Sequence, residues 1–366
     1  MKRVILSGGG TGGHIYPAVA VAEALKRKWG EDVELLFVGA EGKMEMEKVP
    51  ALGYNIKGLP VAGLQRRLAL SNFALPFKVM ASIRRAKRII RDFNAAIDVG
   101  FGGYASAPVL RAAQSLGVPT LIQEQNSYAG LTNKLLSKRA KRICVAYEGM
   151  ERFFPKERIV MTGNPLRGRF SAEGVDRAEA LAYYGFSGDM PVILVVGGSL
   201  GTRTLNEMMK AWILTLGGEA PVQVIWQTGK YYEREMQEFL KAHPTKNIWQ
   251  GAFIERMDYA YAAADVVLSR SGACTVSELC LVAKPTIFVP SPNVAEDHQT
   301  KNAMALVNKG AGEIVRDSEA VARGMQEAVA LAKDGERLER LSKNIKSLAI
   351  SDSAERVVRE IEKLLK

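Results

Sequence analysis

Two glycine-rich turns, one in each half of the chain, constrain this sequence most. Ser7-Gly8-Gly9-Gly10-Thr11-Gly12-Gly13-His14 directly follows the apolar run Val4-Ile5-Leu6. Gly197-Gly198-Ser199-Leu200-Gly201-Thr202-Arg203 directly follows Val192-Ile193-Leu194-Val195-Val196. Each reads as a buried strand, a tight turn and an amphipathic helix. Glycine lets backbone approach an anion closely, and a helix N-terminus offers unpaired N–H groups with a partial positive charge. Two such units imply an α/β chain of two Rossmann-like domains facing each other, with a phosphorylated ligand in the cleft between them.

At 366 residues the chain has the length of two ordinary domains. Its apolar runs are strand-length, short of the ~20 residues of a membrane span. Met1 to Gly8 runs straight into the first turn and leaves no room for a signal-peptide core, so the protein is expected on the cytosolic side. Cys144, Cys274 and Cys280 lie in apolar contexts without metal-ligand spacing and are expected to be reduced. The net charge of +11 is lopsided: residues 1–165 hold 25 basic against 13 acidic residues, and residues 166–366 hold 25 against 26. Arg66 to Arg91 contains eight basic residues and no acidic one, and Lys134 to Arg142 adds five more. Such a field points to an anionic partner for the N-terminal half. Apolar Leu68, Leu70, Phe73, Leu75, Phe77, Val79, Met80 and Ile83 interleave with Arg84, Arg85 and Arg88, as in a helix lying on an anionic membrane surface. The alternative is a surface helix whose apolar face is core. No nucleic-acid motif accompanies the charge, so no nucleic-acid partner is expected.

Short β-branched runs near 3–6, 33–38, 96–100, 119–122 and 142–145 alternate with helical periods over 16–29, 72–93, 106–116 and 130–138. The second half repeats the rhythm, with strands near 191–196, 222–227, 247–250, 265–268 and 286–289 and helices over 203–216, 231–241, 274–282 and 299–309. This alternation predicts parallel sheets. The Gly163-Asn164-Pro165 break sets expected domains at 1–163 and 164–349, with a charged helical stretch over about 334–364 and a last helix, 350–366, packing back on the first domain.

The first turn matches Gly-x-Gly-x-x-Gly, but a nicotinamide or flavin site wants an acidic residue closing the second strand. Here that strand closes on Phe37-Val38-Gly39-Ala40, and Glu41 comes late. The Gly-Lys-Ser/Thr ending of a nucleotide P-loop is also missing. His14 sits at the mouth of the following helix, where imidazolium is disfavoured and a neutral base is favoured; a loop-capping histidine is the plainer alternative. A third glycine turn, Gly100-Phe101-Gly102-Gly103-Tyr104, and the polar run Gln123-Glu124-Gln125-Asn126 end later strands. In open α/β sheets ligands bind at such carboxyl ends. In the second half, Ser269-Arg270-Ser271-Gly272 leads into a helix carrying Glu278, suited to ribose hydroxyls, and Gln299 is placed to read a neutral sugar hydroxyl. No Asp-x-Asp pair for a metal-clamped diphosphate occurs, so leaving-group charge is assigned to helix dipoles and arginines, with no cofactor or metal.

Gly9-Gly10-Thr11-Gly12-Gly13-His14, Gly100-Phe101-Gly102-Gly103-Tyr104, Glu124-Gln125-Asn126 with Ala129-Gly130-Leu131-Thr132-Asn133, Thr162-Gly163-Asn164-Pro165, Gly197-Gly198-Ser199 and Arg270-Ser271-Gly272-Ala273 occur in that order over almost the whole chain. This set resembles the MurG family of bacterial peptidoglycan glycosyltransferases. The resemblance implies a GT-B fold, with two Rossmann-like domains facing across a deep cleft. It implies inverting, metal-independent transfer of N-acetylglucosamine from UDP-GlcNAc to the C4 hydroxyl of the muramyl sugar of lipid I, giving lipid II at the cytoplasmic face of the inner membrane. By motif match, Ile254 meets the uracil and Glu278 the ribose, within a donor-binding run of Ala273, Cys274, Thr275, Val276, Ser277 and Glu278. Ser199 and Arg167 meet the diphosphate, and Asn126 and Gln299 flank the sugar. Thr11, Gly12 and Gly13 close over it, and Gly102, Gly103 and Tyr104 meet the acceptor. The N-terminal glycine loops are the expected seat of the acceptor pyrophosphate. The base is His14, with Glu124 second. The sequence departs from the family at Glu296-Asp297-His298 and at Gly201-Thr202-Arg203. An epimerase of the same fold and a non-catalytic nucleotide-sugar or anionic-lipid binding module are the alternatives.

Overall fold

A computed structural model describes residues 1–61, 75–167, 174–198 and 200–365, with the side chains of 75–77 and 295 outside that description. The chain divides into two compact units, Met1–Gly168 with Ile350–Lys366, and Arg169–Ala349.

In the first unit, β1 (Lys2–Ser7), β2 (Val33–Ala40), β3 (Ile56–Leu59), β4 (Ile97–Gly100), β5 (Thr120–Glu124), β6 (Arg142–Val145) and β7 (Ile159–Met161) form a parallel sheet. Its order is β3-β2-β1-β4-β5-β6-β7. Helices α1 (Gly12–Trp29), α2 (Glu45–Ala51), α3 (Leu75–Phe93), α4 (Gly103–Ser115) and α5 (Leu131–Ser137) connect the strands. Val4, Ile5 and Leu6 are all fully buried, because helices cover both faces and a central parallel strand has no wet side. One apolar layer joins Val4, Leu6 and Val99 to α1; the other joins Ile5, Leu36 and Val38 to α3 and α4.

The second unit carries β8 (Val192–Val196), β9 (Glu219–Gln227), β10 (Lys246–Gly251), β11 (Val266–Ser269), β12 (Thr286–Phe288) and β13 (Glu313–Ile314), again all parallel, in the order β10-β9-β8-β11-β12-β13. Its helices are α6 (Arg177–Tyr183), α7 (Arg203–Ile213), α8 (Glu233–Ala242), α9 (Met257–Ala263), α10 (Ala273–Val282), α11 (His298–Val307), α12 (Asp317–Ala332) and α13 (Gly335–Lys346).

The expected strands and helices are present with ends moved by a few residues. The pattern missed β3, β7, β13, α2, α6, α9 and α12. The missed strands are short and lie at or next to sheet edges, and the seven-residue α2 contains Pro50. Alanines and a glycine blur the apolar period of α12. The helical stretch expected over about 334–364 consists of two helices: α13 ends at Lys346 and α14 (Ser353–Leu365) begins after it. Within the first unit α14 buries Ala354, Val357, Val358 and Ile361, a helical i, i+3, i+4, i+7 stripe, in the layer shared with α1. Each fully buried valine or isoleucine there is worth roughly 2 kcal/mol, and the rim pairs Arg27–Glu355 and Lys28–Glu362 add little.

Candidate active site

In the first sheet the chain order reverses between β1 and β4, and the loops leaving these two strands flank that switch point. Backbone touches backbone here. Gly103 has φ +78°, and a Cβ on it would lie 2.1 Å from the Gly9 carbonyl oxygen; a Cβ on Gly102, φ +92°, would lie 3.1 Å from the His14 ring. Only glycine allows this approach, so the first and third glycine turns form one surface around His14. Thr11 caps α1 without a side-chain bond, and Gly12 and Gly13 are its first residues. Tyr104 is exposed in the first turn of α4.

His14 lies half-buried with Nδ1 3.1 Å from Gln125 Oε1. The Gln125 amide is oriented by its other end: Nε2 donates to the Phe101 carbonyl at 2.9 Å and the Gln123 carbonyl at 3.2 Å. Carbonyl oxygens only accept, so the group facing them is the NH₂ and the oxygen faces His14. In the neutral imidazole Nδ1 therefore carries the proton and Nε2 the lone pair. Gln125 is itself buried, and the Asn164 side chain donates to its backbone carbonyl at 3.0 Å. Within its polar run nothing in the sequence singles Gln125 out, because its role depends on the end of β5 meeting the end of β4.

Glu124 is placed differently. Its carboxylate is buried, with Oε1 accepting from the Asn126 backbone and side-chain nitrogens at 3.1 and 3.4 Å, and Oε2 accepting from Gly130 N at 3.1 Å and Asn133 Nδ2 at 2.8 Å. Four donors on two oxygens make it the organiser of the loop from β5 to α5. Arg167 pairs with Glu23 of α1 at 3.0 Å and lies in the first unit.

The acidic residue sought at the end of β2 is present four positions beyond Glu41. Glu45, the first residue of α2, turns its carboxylate back under the first glycine turn, with Oε2 accepting from Gly10 N and Oε1 from Ala40 N, both at 2.9 Å. Glu45 is 1% exposed. That turn therefore does not present all its N–H groups outward, as the sequence implied.

In the second unit the loops after β8 and β11 flank the corresponding switch point. A Cβ on Gly201 would lie 2.1 Å from the Thr228 carbonyl oxygen, so the turn before α7 rests on the loop after β9. Gln227 braces both: Nε2 donates to the Gly198 carbonyl at 2.9 Å, and Oε1 accepts the Ile254 N–H at 3.1 Å. Ser199 lies outside the described residues. Arg203 is exposed in the first turn of α7. Arg270, by contrast, is tied to Asp317 at 2.6 Å and to the Val289 carbonyl at 2.8 Å, so it braces the loop after β11.

Ala273 to Glu278 form the first turns of α10. Glu278 lies half-buried against Tyr261, and burial lifts its carboxyl to about 7 despite the bond from that phenol. Burial, helped by Glu278, pushes the Cys274 thiol up to about 12, and burial raises Cys144 and Cys280 likewise. All three cysteines are unbridged thiols. Gln299 Oε1 accepts the Ser291 N–H at 2.9 Å and its carbonyl accepts from Ser271 Oγ at 2.9 Å. Its amide NH₂ is thus the end left to face a ligand.

Of the basic-apolar segment, Phe73 lies outside the described residues and the side chains of Leu75 and Phe77 are not described. Val79 and Met80 of α3 are 43% and 53% exposed, and Arg84, Arg85 and Arg88 are exposed, with Arg85 paired to Glu41 at 2.8 Å. Ile83 packs on the core layer beneath, so it is a buried-face residue of this helix. On α5, Leu131 and Leu135 are 61% and 69% exposed beside Lys134 and Lys138. No helix among the described residues is long and apolar enough to cross a membrane.

Residues 4–145 match the glycosyltransferase family 28 N-terminal domain and residues 192–357 the glycosyltransferase family 28 C-terminal domain. The UDP-N-acetylglucosamine–N-acetylmuramyl-(pentapeptide) pyrophosphoryl-undecaprenol N-acetylglucosamine transferase of Parabacteroides distasonis is 53% identical over 99% of this chain and 98% of its own. The enzyme of the same name from Porphyromonas gingivalis is 52% identical over 99% and 96%. A crystal structure of Acinetobacter baumannii MurG superposes with a TM-score of 0.80 at 30% identity, over 99% of this chain and all of that one.

Proposed function

Because the chain belongs to glycosyltransferase family 28, we propose that it transfers N-acetylglucosamine from UDP-GlcNAc to the C4 hydroxyl of the muramyl sugar of lipid I, with inversion, forming lipid II. The observation that carries the reading is His14, set at the first switch point with its protonated nitrogen turned to Gln125 and its lone pair on Nε2. Nε2 takes the proton from the acceptor hydroxyl as that oxygen bonds to the sugar C1. The bond from C1 to the UDP oxygen breaks, and its electron pair leaves on the diphosphate. One displacement inverts the anomeric centre. Glu124 is not the base in this scheme, since both its oxygens already hold donors.

The second unit holds the donor. The turn at Gly197–Thr202 and the first turn of α7, with Arg203, meet the diphosphate and its developing charge. Glu278 accepts from the ribose hydroxyls. The Ile254 N–H is turned to Gln227, so a uracil held there is read by the Ile254 carbonyl. Gln299 donates its NH₂ to a sugar hydroxyl. Gly102, Gly103 and Tyr104 line the acceptor side. The exposed apolar residues of α3 and α5, ringed by basic residues, rest on the anionic cytoplasmic surface of the membrane that holds the lipid-linked acceptor.

Transfer of labelled GlcNAc to a lipid I analogue tests this directly. The expected result is acceptor-dependent UDP release, with UDP-GlcNAc unchanged when incubated alone, and a loss of at least about 100-fold for His14→Ala. An altered sugar without acceptor makes the chain an epimerase, and turnover within a few-fold for His14→Ala removes the base.

A further inference from the structure

A glycine turn between the first strand of a Rossmann-like sheet and its helix seats phosphate because its N–H groups converge with nothing in front of them. In this chain one of them, the Gly10 N–H, is already taken. The Glu45 carboxylate accepts the Gly10 N–H with one oxygen and the Ala40 N–H at the end of β2 with the other, at 2.9 Å each, and the residue is 1% exposed. Space is shaped around it: a Cβ on Gly9 would lie 2.1 Å from Glu45 Oε1, and a Cβ on Gly39 would lie 2.5 Å from Glu45 Cγ. Two glycines, one in the first turn and one in β2, thus make room for one side chain. The second unit has no such arrangement described at its own turn, where Gly198 uses its carbonyl to accept from Gln227 and Gly201 N.

We propose that Glu45 is a built-in anion: its carboxylate takes the seat that a ligand phosphate takes in a nucleotide-binding turn. It closes the first glycine turn to phosphates and holds it in the shape that carries His14. The chain of contacts is short. Glu45 fixes Gly10 and lies against Gly9, Gly9 abuts Gly103, and Gly102 abuts the His14 ring. Glu45 is therefore a positioning residue for the base, and a specificity element that confines phosphate recognition by glycine turns to loops other than this one. The positioning half rests on the transferase reading above; the closed-turn half does not.

The test uses the full chain labelled with ¹⁵N-glycine, the Gly10 amide signal being identified by its loss in Gly10→Ala. Inorganic pyrophosphate is titrated into the wild type and into Glu45→Ala. The Gly10 signal is expected to stay still in the wild type and to move saturably, at millimolar pyrophosphate, in Glu45→Ala. A Gly10 signal that moves in the wild type overturns the proposal without any variant having to fold. So does a folded Glu45→Ala whose Gly10 signal ignores pyrophosphate. Should Glu45→Ala fail to fold, Glu45→Gln, which keeps one accepting oxygen, replaces it. In that variant kcat is expected to fall at least tenfold with the UDP-GlcNAc KM within twofold, since the donor site belongs to the other unit. An unchanged kcat refutes the positioning role. A wild type that transfers no sugar at all refutes the transferase reading and leaves the amide experiment standing.

Discussion

Asp98 offers the sharpest physical test of this structure. It sits on β4, fully buried, in the layer under α3 and α4. Ser7 Oγ donates to Oδ1 at 2.9 Å, while Oδ2 has no hydrogen-bond partner. Burial drives its carboxyl up from 3.8 to about 8, against a smaller opposing effect of the Ser7 bond. The folded group holds its proton where the unfolded one has lost it, so stability is fully present below pH ~4 and declines as pH rises toward 8. The slope is about 1.4 kcal/mol per pH unit, and the loss by pH 7 has a ceiling of about 4 kcal/mol. Asp98→Asn keeps the shape and the acceptor for Ser7 and removes the ionisation. Its thermal unfolding is expected to coincide with wild type near pH 4 and to lie progressively higher above it. For a unit of this size the gap grows by roughly 3–5 °C per pH unit. Calorimetry at pH 4, 6 and 8 reads this directly. Parallel curves for the two proteins, or an Asn variant weaker by one constant amount at every pH, would refute the reasoning.

Three other outcomes follow from the geometry. Gln125→Leu should lower kcat about 10–100-fold with donor KM unchanged, whereas Gln125→Glu should move the acidic limb of kcat/KM up by about one pH unit, since a carboxylate beside His14 favours imidazolium and the base acts unprotonated; an unmoved limb contradicts the assigned tautomer. Glu278 accepts more strongly from ribose when ionised, so with its carboxyl at about 7 the UDP-GlcNAc KM should fall as pH rises from 6 to 8, and Glu278→Gln should bind more weakly with no such trend. Val79→Ser with Met80→Ser should reduce cosedimentation with anionic vesicles at least several-fold, and raised salt should release the wild type as screening weakens the basic ring; equal sedimentation of both proteins argues against the α3 surface.

Local patterning carried most of the architecture. Buried runs such as Val192–Val196 declare themselves because a central parallel strand is apolar on both faces, and the glycine turns declare themselves because only glycine tolerates the close approach seen at Gly103. The edge strand β7 and the alanine-rich α12 were silent, since neither a three-residue strand nor a blurred period gives the pattern enough repeats to read. His14, Glu278 and Gln299 stood out by residue type at the ends of strands or the starts of helices.

The roles of the side chains at the site were decided by their partners, some near in sequence and some far from it. Glu124 reads as a possible base until Asn133 and Gly130 are seen to fill its oxygens. Gln125 reads as one more polar residue until the Phe101 carbonyl fixes its amide. Glu45 carries no signal in the sequence until the parallel pairing of β1 and β2 brings Ala40 and Gly10 to the same carboxylate. Sequence by itself determined most of the strands, turns and helices, and which chemical groups stand at their ends. The tertiary structure alone decided which of those groups are already satisfied by one another, because a hydrogen bond between residues tens of positions apart exists only once the sheet order is set.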